Sequence, residues 1–387
     1  MNGDWTAPAE LSRLASRASL LGGVGAAACA VGAWLDFERF LQSYLVAWLL
    51  CFGVAVGCLG ILTLHHLSRG GWGLMIRRVL ESAAGTLPLL AVAFVPVLLS
   101  LGTVYGWATP EGAAELHGGK AAYLDPAFFT ARFVLYFAVW SGIAWWLTRL
   151  STQQDESADP AIFRRMQVVA GPALGLYALA ATFAAVDWLM SLDPHWYSSL
   201  FGVYFIGGHA VSALAFVVPV AVWLRQRKPM SEAFRPIHFQ DYGKLLLAFV
   251  MLWAYFAVSQ LLIIWSGNLA EEVTWYVHRV EGAWKIISIA LGLLHFALPF
   301  LLLLSRDLKR SRRLIWVAAL LLVMRWLDLF WQAAPAFGDR GPIFHWLDLA
   351  TVVALGGLWF GFFARRLARR PLLPVNDPFL AEALDRA

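Results

Sequence analysis

The chain has 387 residues, of which 60% are hydrophobic and only 14% charged, and its mean hydropathy is +0.65. A soluble domain carries about 25% charged residues, so a water-exposed globule is excluded. The net charge of +5 does not imply nucleic-acid binding, because the basic residues lie between apolar segments rather than along one stripe.

A membrane-spanning helix needs roughly 20 mostly apolar residues. The sequence offers about ten such stretches, near 18–35, 42–64, 86–107, 128–148, 166–188, 202–224, 244–265, 283–304, 314–333 and 345–364. Residues 1–17 carry polar groups and prolines, and the apolar run after them is of spanning length, so no cleavable signal peptide is expected. Cys29, Cys51 and Cys58 all fall in apolar stretches and form neither a C-x-x-C-H haem attachment nor a thiolate cluster. They read as small buried hydrophobes. In the second stretch, Gly53-Val-Ala-Val-Gly57 suits close approach of a neighbouring backbone.

The connecting segments fix a polarity. One side carries Arg13, Arg17, Arg69, Arg77, Arg78, Arg149, Arg164, Arg165, Arg225, Arg227, Lys228, Arg235, Arg306 to Arg313, and Arg365 to Arg370; the other carries only Arg39, Lys120, Arg279 and Arg340. The positive-inside rule places the first side in the cytoplasm, and an even number of spans puts both termini there. Trp34, Trp107, Trp188, Trp265, Trp284, Trp331 and Trp346 mark the outer ends, and Trp72, Trp145, Trp146, Trp223 and Trp316 the inner ends, as in aromatic belts. The expected organisation is one membrane domain over 1–370 followed by a cytoplasmic tail, 371–387, that is extended and then briefly helical.

Ionisable groups at membrane depth are costly and therefore candidates for function. Asp187, His209, His295, Arg325 and Asp328 are the candidates for a proton path or for quinone contacts. Arg132, Lys285, His345 and Asp348 also fall in or near spans, and snorkelling to the outer interface accounts for Lys285 and Asp348. Arg325 and Asp328 are three apart on one helix face and are placed to pair. His209 and His295 are weak evidence for a haem; a polar network, or a proton or quinone contact, suits them better. Apart from His65, His66 and Lys244, the inner half is expected to be nearly bare of charge. Two outer loops, 187–199 and 265–279, combine aromatic residues, acids and a histidine. Asp193, His195, Trp196, Glu271, Glu272, His278 and Arg279 are the candidate docking residues for a periplasmic partner. Neither loop has metal-ligand spacing.

At these loops the sequence resembles a known family. Residues 187–205, DWLMSLDPHWYSSLFGVYF, residues 254–279, AYFAVSQLLIIWSGNLAEEVTWYVHR, and residues 374–385, PVNDPFLAEALD, resemble the ActF subunit of alternative complex III, a bacterial quinol:cytochrome c oxidoreductase. That subunit belongs to the NrfD/PsrC-like membrane proteins. The resemblance implies two four-helix bundles flanked by further helices in the bacterial inner membrane. It implies as partners a multihaem cytochrome c, an iron–sulfur subunit, the NrfD-like paralogue ActC and, downstream, a haem-copper oxidase. It implies no covalently bound cofactor, and menaquinone or ubiquinone as the redox ligand, with quinone binding, proton translocation or a structural role open to this chain. Two other readings remain: an independent secondary transporter, for which Pro96, Pro172, Pro219 and Pro299 lie within spans but no repeat symmetry is seen, and a purely structural anchor.

Overall fold

The computed structural model describes residues 5–68, 70–338 and 341–385; Arg69 and Arg340 of the charge balance lie outside them. Among the described residues every regular element is helical, and ten helical segments are long and apolar enough to cross a membrane. The chain is an all-α, multi-pass membrane protein. We number the spans α1 (Ala9–Leu35), α2 (Phe37–Ser68), α3 (Leu74–Leu98), α4 (Pro126–Glu156), α5 (Pro160–Leu192), α6 (Phe201–Arg225), α7 (Pro236–Gly267), α8 (Trp284–Leu304), α9 (Leu314–Phe337) and α10 (Trp346–Ala368).

The helix starts follow local chemistry. Asp125 accepts a hydrogen bond from the Phe128 N–H at 2.9 Å and Asp159 one from Ala161, each followed by proline at the first helical position. Asn268, in the left-handed conformation at φ 49°, ends α7.

Helices α2–α5 pack as one group and α6–α9 as another. The two groups meet where α2 lies against α6, and these are the most enclosed spans, each with 89% of its apolar window buried. Gly57 makes that seam possible: a Cβ there would stand 2.7 Å from the carbonyl carbon of His209. Helix α10 packs on α2, and α1 packs on α10. The α1–α10 contact is backbone against backbone, since a Cβ at Gly22 would lie 2.5 Å from Leu358 N and one at Gly25 2.6 Å from Ala354 N.

Between α2 and α5 sits a ring-packed core in which Phe52, Phe94, Phe137 and Trp140 surround Trp188. Trp188 and Trp107 are buried there, and Trp284 and Trp331 are also buried, so these four are core residues rather than belt residues. Trp34, Trp145, Trp146, Trp265, Trp316 and Trp346 are exposed as the belt reading expects.

The third span departs from the sequence reading. Expected at 86–107, it begins at Leu74 and breaks at Gly85, Phe94 and Leu99, next to Pro88 and Pro96. Side chains satisfy the freed carbonyls: Tyr44 donates to Ala93 O at 2.5 Å and Trp48 to Leu90 O at 2.8 Å.

The early start carries Arg77, Arg78 and Glu81 into the protein, where all three are buried. Arg77 donates to Glu81 (2.9 Å), Gln154 (2.9 Å), Ser151 (2.7 Å) and Asp377 of the tail (2.9 Å). Arg78 pairs with Glu81 at 2.8 Å and with Asp155. The inner half is therefore not bare of charge; a loop reading of 69–85 had hidden a five-residue ion network of which all but Asp155 are buried. The tail is held over it by the Asn376 amide, which donates to Asp155 O at 3.0 Å, and by the Leu372 N–H, which donates to Trp5 O at 2.8 Å. That last bond also brings the two terminal segments together at one end of the bundle, called here the basic end. After an irregular stretch the tail forms a short helix, Leu380–Asp385.

Candidate functional site

The core of the second helix group holds the densest intramembrane polar cluster of the opposite half. Arg325 and Asp328 of α9 form the expected ion pair, and both are almost fully buried. Asp328 is saturated: Oδ1 accepts from the Tyr204 hydroxyl at 2.7 Å, and Oδ2 accepts from Arg325 and from the Trp253 indole at 3.2 Å. Arg325 Nε donates to Ser212 Oγ at 3.3 Å. The guanidinium rests on Gly208, where a Cβ would come 2.5 Å from its Cζ. Three helices thus converge on one carboxylate–guanidinium pair: α9 supplies the charges, α6 Tyr204, Ser212 and the cleared space, and α7 the indole.

His209 follows Gly208, on which the guanidinium rests, and His295 lies against Trp253, which donates to Asp328. Both are buried and neither ring nitrogen of either has a hydrogen-bond partner. They face different neighbours. His209 packs edge-on against Phe52 and Phe205, while His295 lies 3.9 Å from Trp253, ring centre to ring centre. His295 sits in a π-helical stretch, Leu291–Ala297, directly before Pro299. Proline at 299 cannot donate a backbone bond and crowds the carbonyl of residue 295, a recognised cause of such widening, and π-helical turns are frequent at functional sites.

An apolar cavity of about 240 Å³ lies beside the cluster, between α7 and α8. Tyr204 and Trp253, the two uncharged donors to Asp328, form part of its wall, with Tyr276 and Trp331 toward the opposite end. The Tyr276 hydroxyl accepts from Gln260 at 3.2 Å. Val258, Leu261 and Val280 at the rim are exposed, so the cavity opens on the outer apolar face of the bundle. Sequence reasoning missed Tyr204, Trp253, Ser212 and Tyr276, which look like ordinary span residues until the helices are packed.

Asp187 is not part of this cluster. It is held at the end of α5 by Arg132 of α4 in a two-pronged pair, with both N–O distances 2.9 Å, and by the Tyr136 hydroxyl at 2.8 Å. Arg132 also donates to Tyr123 O at 2.9 Å and stacks over the Tyr123 ring at 3.8 Å. Asp187 and Asp328, both visible in the sequence as acids at membrane depth, serve different helix groups. Asp348, expected to snorkel, instead pairs with Arg39 at 3.0 Å and accepts from Ser43 at 2.6 Å.

The outer loops divide in the same way. Asp193, His195, Glu271, Glu272 and His278 lie at or near the surface. Trp196 and Arg279 are buried and do not form a docking surface. Trp196 stacks on Trp275 at 4.4 Å. Arg279, on the short helix Ala270–Val280, donates to the carbonyls of Trp275 (2.9 Å), Trp331 (3.2 Å) and Gln332 (2.7 Å). Burial pulls its guanidinium down to about 9, with nearby Asp193 acting in the opposite direction. Arg279 ties its loop to α9, because a guanidinium combines apolar area with several donors that reach otherwise unpaired carbonyls, and Trp196 ties the first loop to the second through its stack on Trp275.

No family model matches the chain, and no curated protein matches it.

Proposed function

We propose that this chain is an integral-membrane subunit of a respiratory quinol:cytochrome c oxidoreductase of the alternative complex III type. Its part is to bind a quinone laterally and to pass protons at the Arg325–Asp328 pair. The observation that carries the reading is that Tyr204 and Trp253 line a lipid-facing cavity while hydrogen-bonding Asp328. The resemblance of 187–205, 254–279 and 374–385 to ActF supplies the respiratory setting. With the basic end in the cytoplasm, as the arginine distribution favours, the cavity lies in the periplasmic half.

The residues suit such a ligand. The cavity is mainly apolar, with a few hydroxyl and indole groups, as ligand sites generally are. Trp253, Trp331 and the Tyr204 and Tyr276 hydroxyls would hold a quinone headgroup, and the exposed rim at Val258 and Leu261 would let its tail reach lipid. A bound quinol supplies two protons and two electrons on oxidation. The Tyr204 hydroxyl would take up a proton released by a bound quinol as its own passes to Asp328, whose charge is balanced by Arg325. The electrons pass to haem and iron–sulfur partners, since this sequence carries no attachment motif for either.

A second reading is favoured by the saturation of Asp328: the pair is a structural lock between helices. Purification in mild detergent from the native membrane tests the assignment. The expected result is co-purification with a multihaem cytochrome, seen as haem absorbance; a chain that runs alone without it refutes the complex. In the assembled complex, Arg325→Gln/Asp328→Asn lowers proton release per electron, whereas the lock reading leaves that ratio unchanged.

A further inference from the structure

At the basic end a different cavity, of about 380 Å³, opens between α3, α4 and α10. Three arginines line it: Arg149 of α4, and Arg366 and Arg370 of α10 and its end. Among the described residues none of the three forms an ion pair. This contrasts with Arg77 and Arg78 nearby, whose charges are matched by acids. Two lining atoms are buried without a hydrogen-bond partner, Thr148 Oγ1 and Arg366 Nε, and the Thr148 side chain belongs to a residue only 6% exposed. The break of α3 shapes the site, because a Cβ at Gly85 would come 2.6 Å from Arg366 Cζ.

A buried hydroxyl and three unneutralised guanidinium groups around one space call for an anion with several acceptor oxygens. The surroundings say where that anion comes from. Trp145 is 61% exposed and lies under the Arg149 guanidinium at 5.3 Å, and exposed Phe362 lies under Arg366 at 6.0 Å. Charge above and exposed rings below is the profile of headgroup level in a bilayer. Basic pockets between spanning helices on the positively charged side bind acidic lipid headgroups.

We propose that this cavity binds the phosphodiester headgroup of an anionic membrane phospholipid, with its acyl chains lying along Trp145 and Phe362. The site is independent of the quinone cavity, which lies toward the other end of the bundle.

The test is native mass spectrometry of the purified protein, with whatever subunits accompany it, titrated with phosphatidylglycerol or phosphatidylcholine in mild detergent. Phosphatidylglycerol is expected to be retained in preference to phosphatidylcholine. Arg366→Gln and Arg370→Gln each weaken that retention about fivefold, the factor for one basic residue near the bilayer surface. Thr148→Val weakens it without changing charge, so the proposal stays testable if an arginine variant does not fold. Arg164→Gln, in a separate groove at the same end, leaves it unchanged. Equal retention of the two lipids, or indifference to all three site variants, overturns the proposal. So does displacement of the lipid by an equal concentration of inorganic phosphate, which would mark a soluble anion as the occupant.

Discussion

Asp328 and Arg325 are 0% and 1% exposed, so each supplies the opposite charge that offsets the other's lost hydration at that depth. Asp328→Asn keeps the size of the side chain and an oxygen for the Tyr204 hydroxyl. It leaves a buried guanidinium whose remaining contact is Ser212 Oγ at 3.3 Å. Removing one member of a buried pair costs about 3–5 kcal/mol. Removing both charges is often close to neutral, because the desolvation cost disappears along with the attraction. The double variant Arg325→Gln/Asp328→Asn is therefore expected to be more stable than Asp328→Asn alone, with a coupling energy of about 3 kcal/mol, the upper part of the range for residues in one network. The assay is SDS-induced unfolding from mixed micelles, followed by tryptophan fluorescence, on wild type, both single variants and the double. Additive losses in the double would falsify the coupling and, with it, the account of the site as one charge-balanced unit.

Other perturbations separate packing from surface. Gly57→Ala forces α2 from α6, since its Cβ would stand 2.7 Å from the His209 carbonyl carbon; a loss of about 1–3 kcal/mol is expected in the same unfolding assay, while Gly142→Ala, with nothing within 4 Å, stays near wild type. Trp196→Ala is expected to cost about 3–5 kcal/mol, against less than about 0.5 kcal/mol for exposed His195→Ala; equal effects would return Trp196 to the surface. Asp377→Asn strips Arg77 of the charge of its tail partner, so limited trypsin digestion should cut after Arg369 several-fold faster, and an unchanged rate would show that the tail is held without that ion pair.

The spans were legible because length and hydropathy are local properties, and nine of the ten fell on the helices found. The third did not, because Arg77, Arg78 and Glu81 read as loop charges when their partners Ser151, Gln154 and Asp377 lie far along the chain. Asp328 and Arg325 were legible as a pair because their partner lies three residues away. Asp187 and Arg132 were each visible but not their union, which depends on the packing of α4 against α5. Trp196 and Arg279 were misplaced for a related reason: a loop between spans looks exposed, yet here the two loops pack on each other and Arg279 reaches α9. Pro299 was seen as a proline inside a span, and its effect on the backbone around His295 follows from P–X spacing that hydropathy does not register.

The close seam between α1 and α10 has a consequence for how the protein is made. Its glycine face on α1 is synthesised well before its complement on α10, separated by roughly 20–70 s of translation at ~5–20 residues per second. Throughout that time α1 has lipid, or an insertion factor, where α10 will be. The seam between α1 and α10 therefore closes only after α10 has been made, long after α1 has entered the membrane.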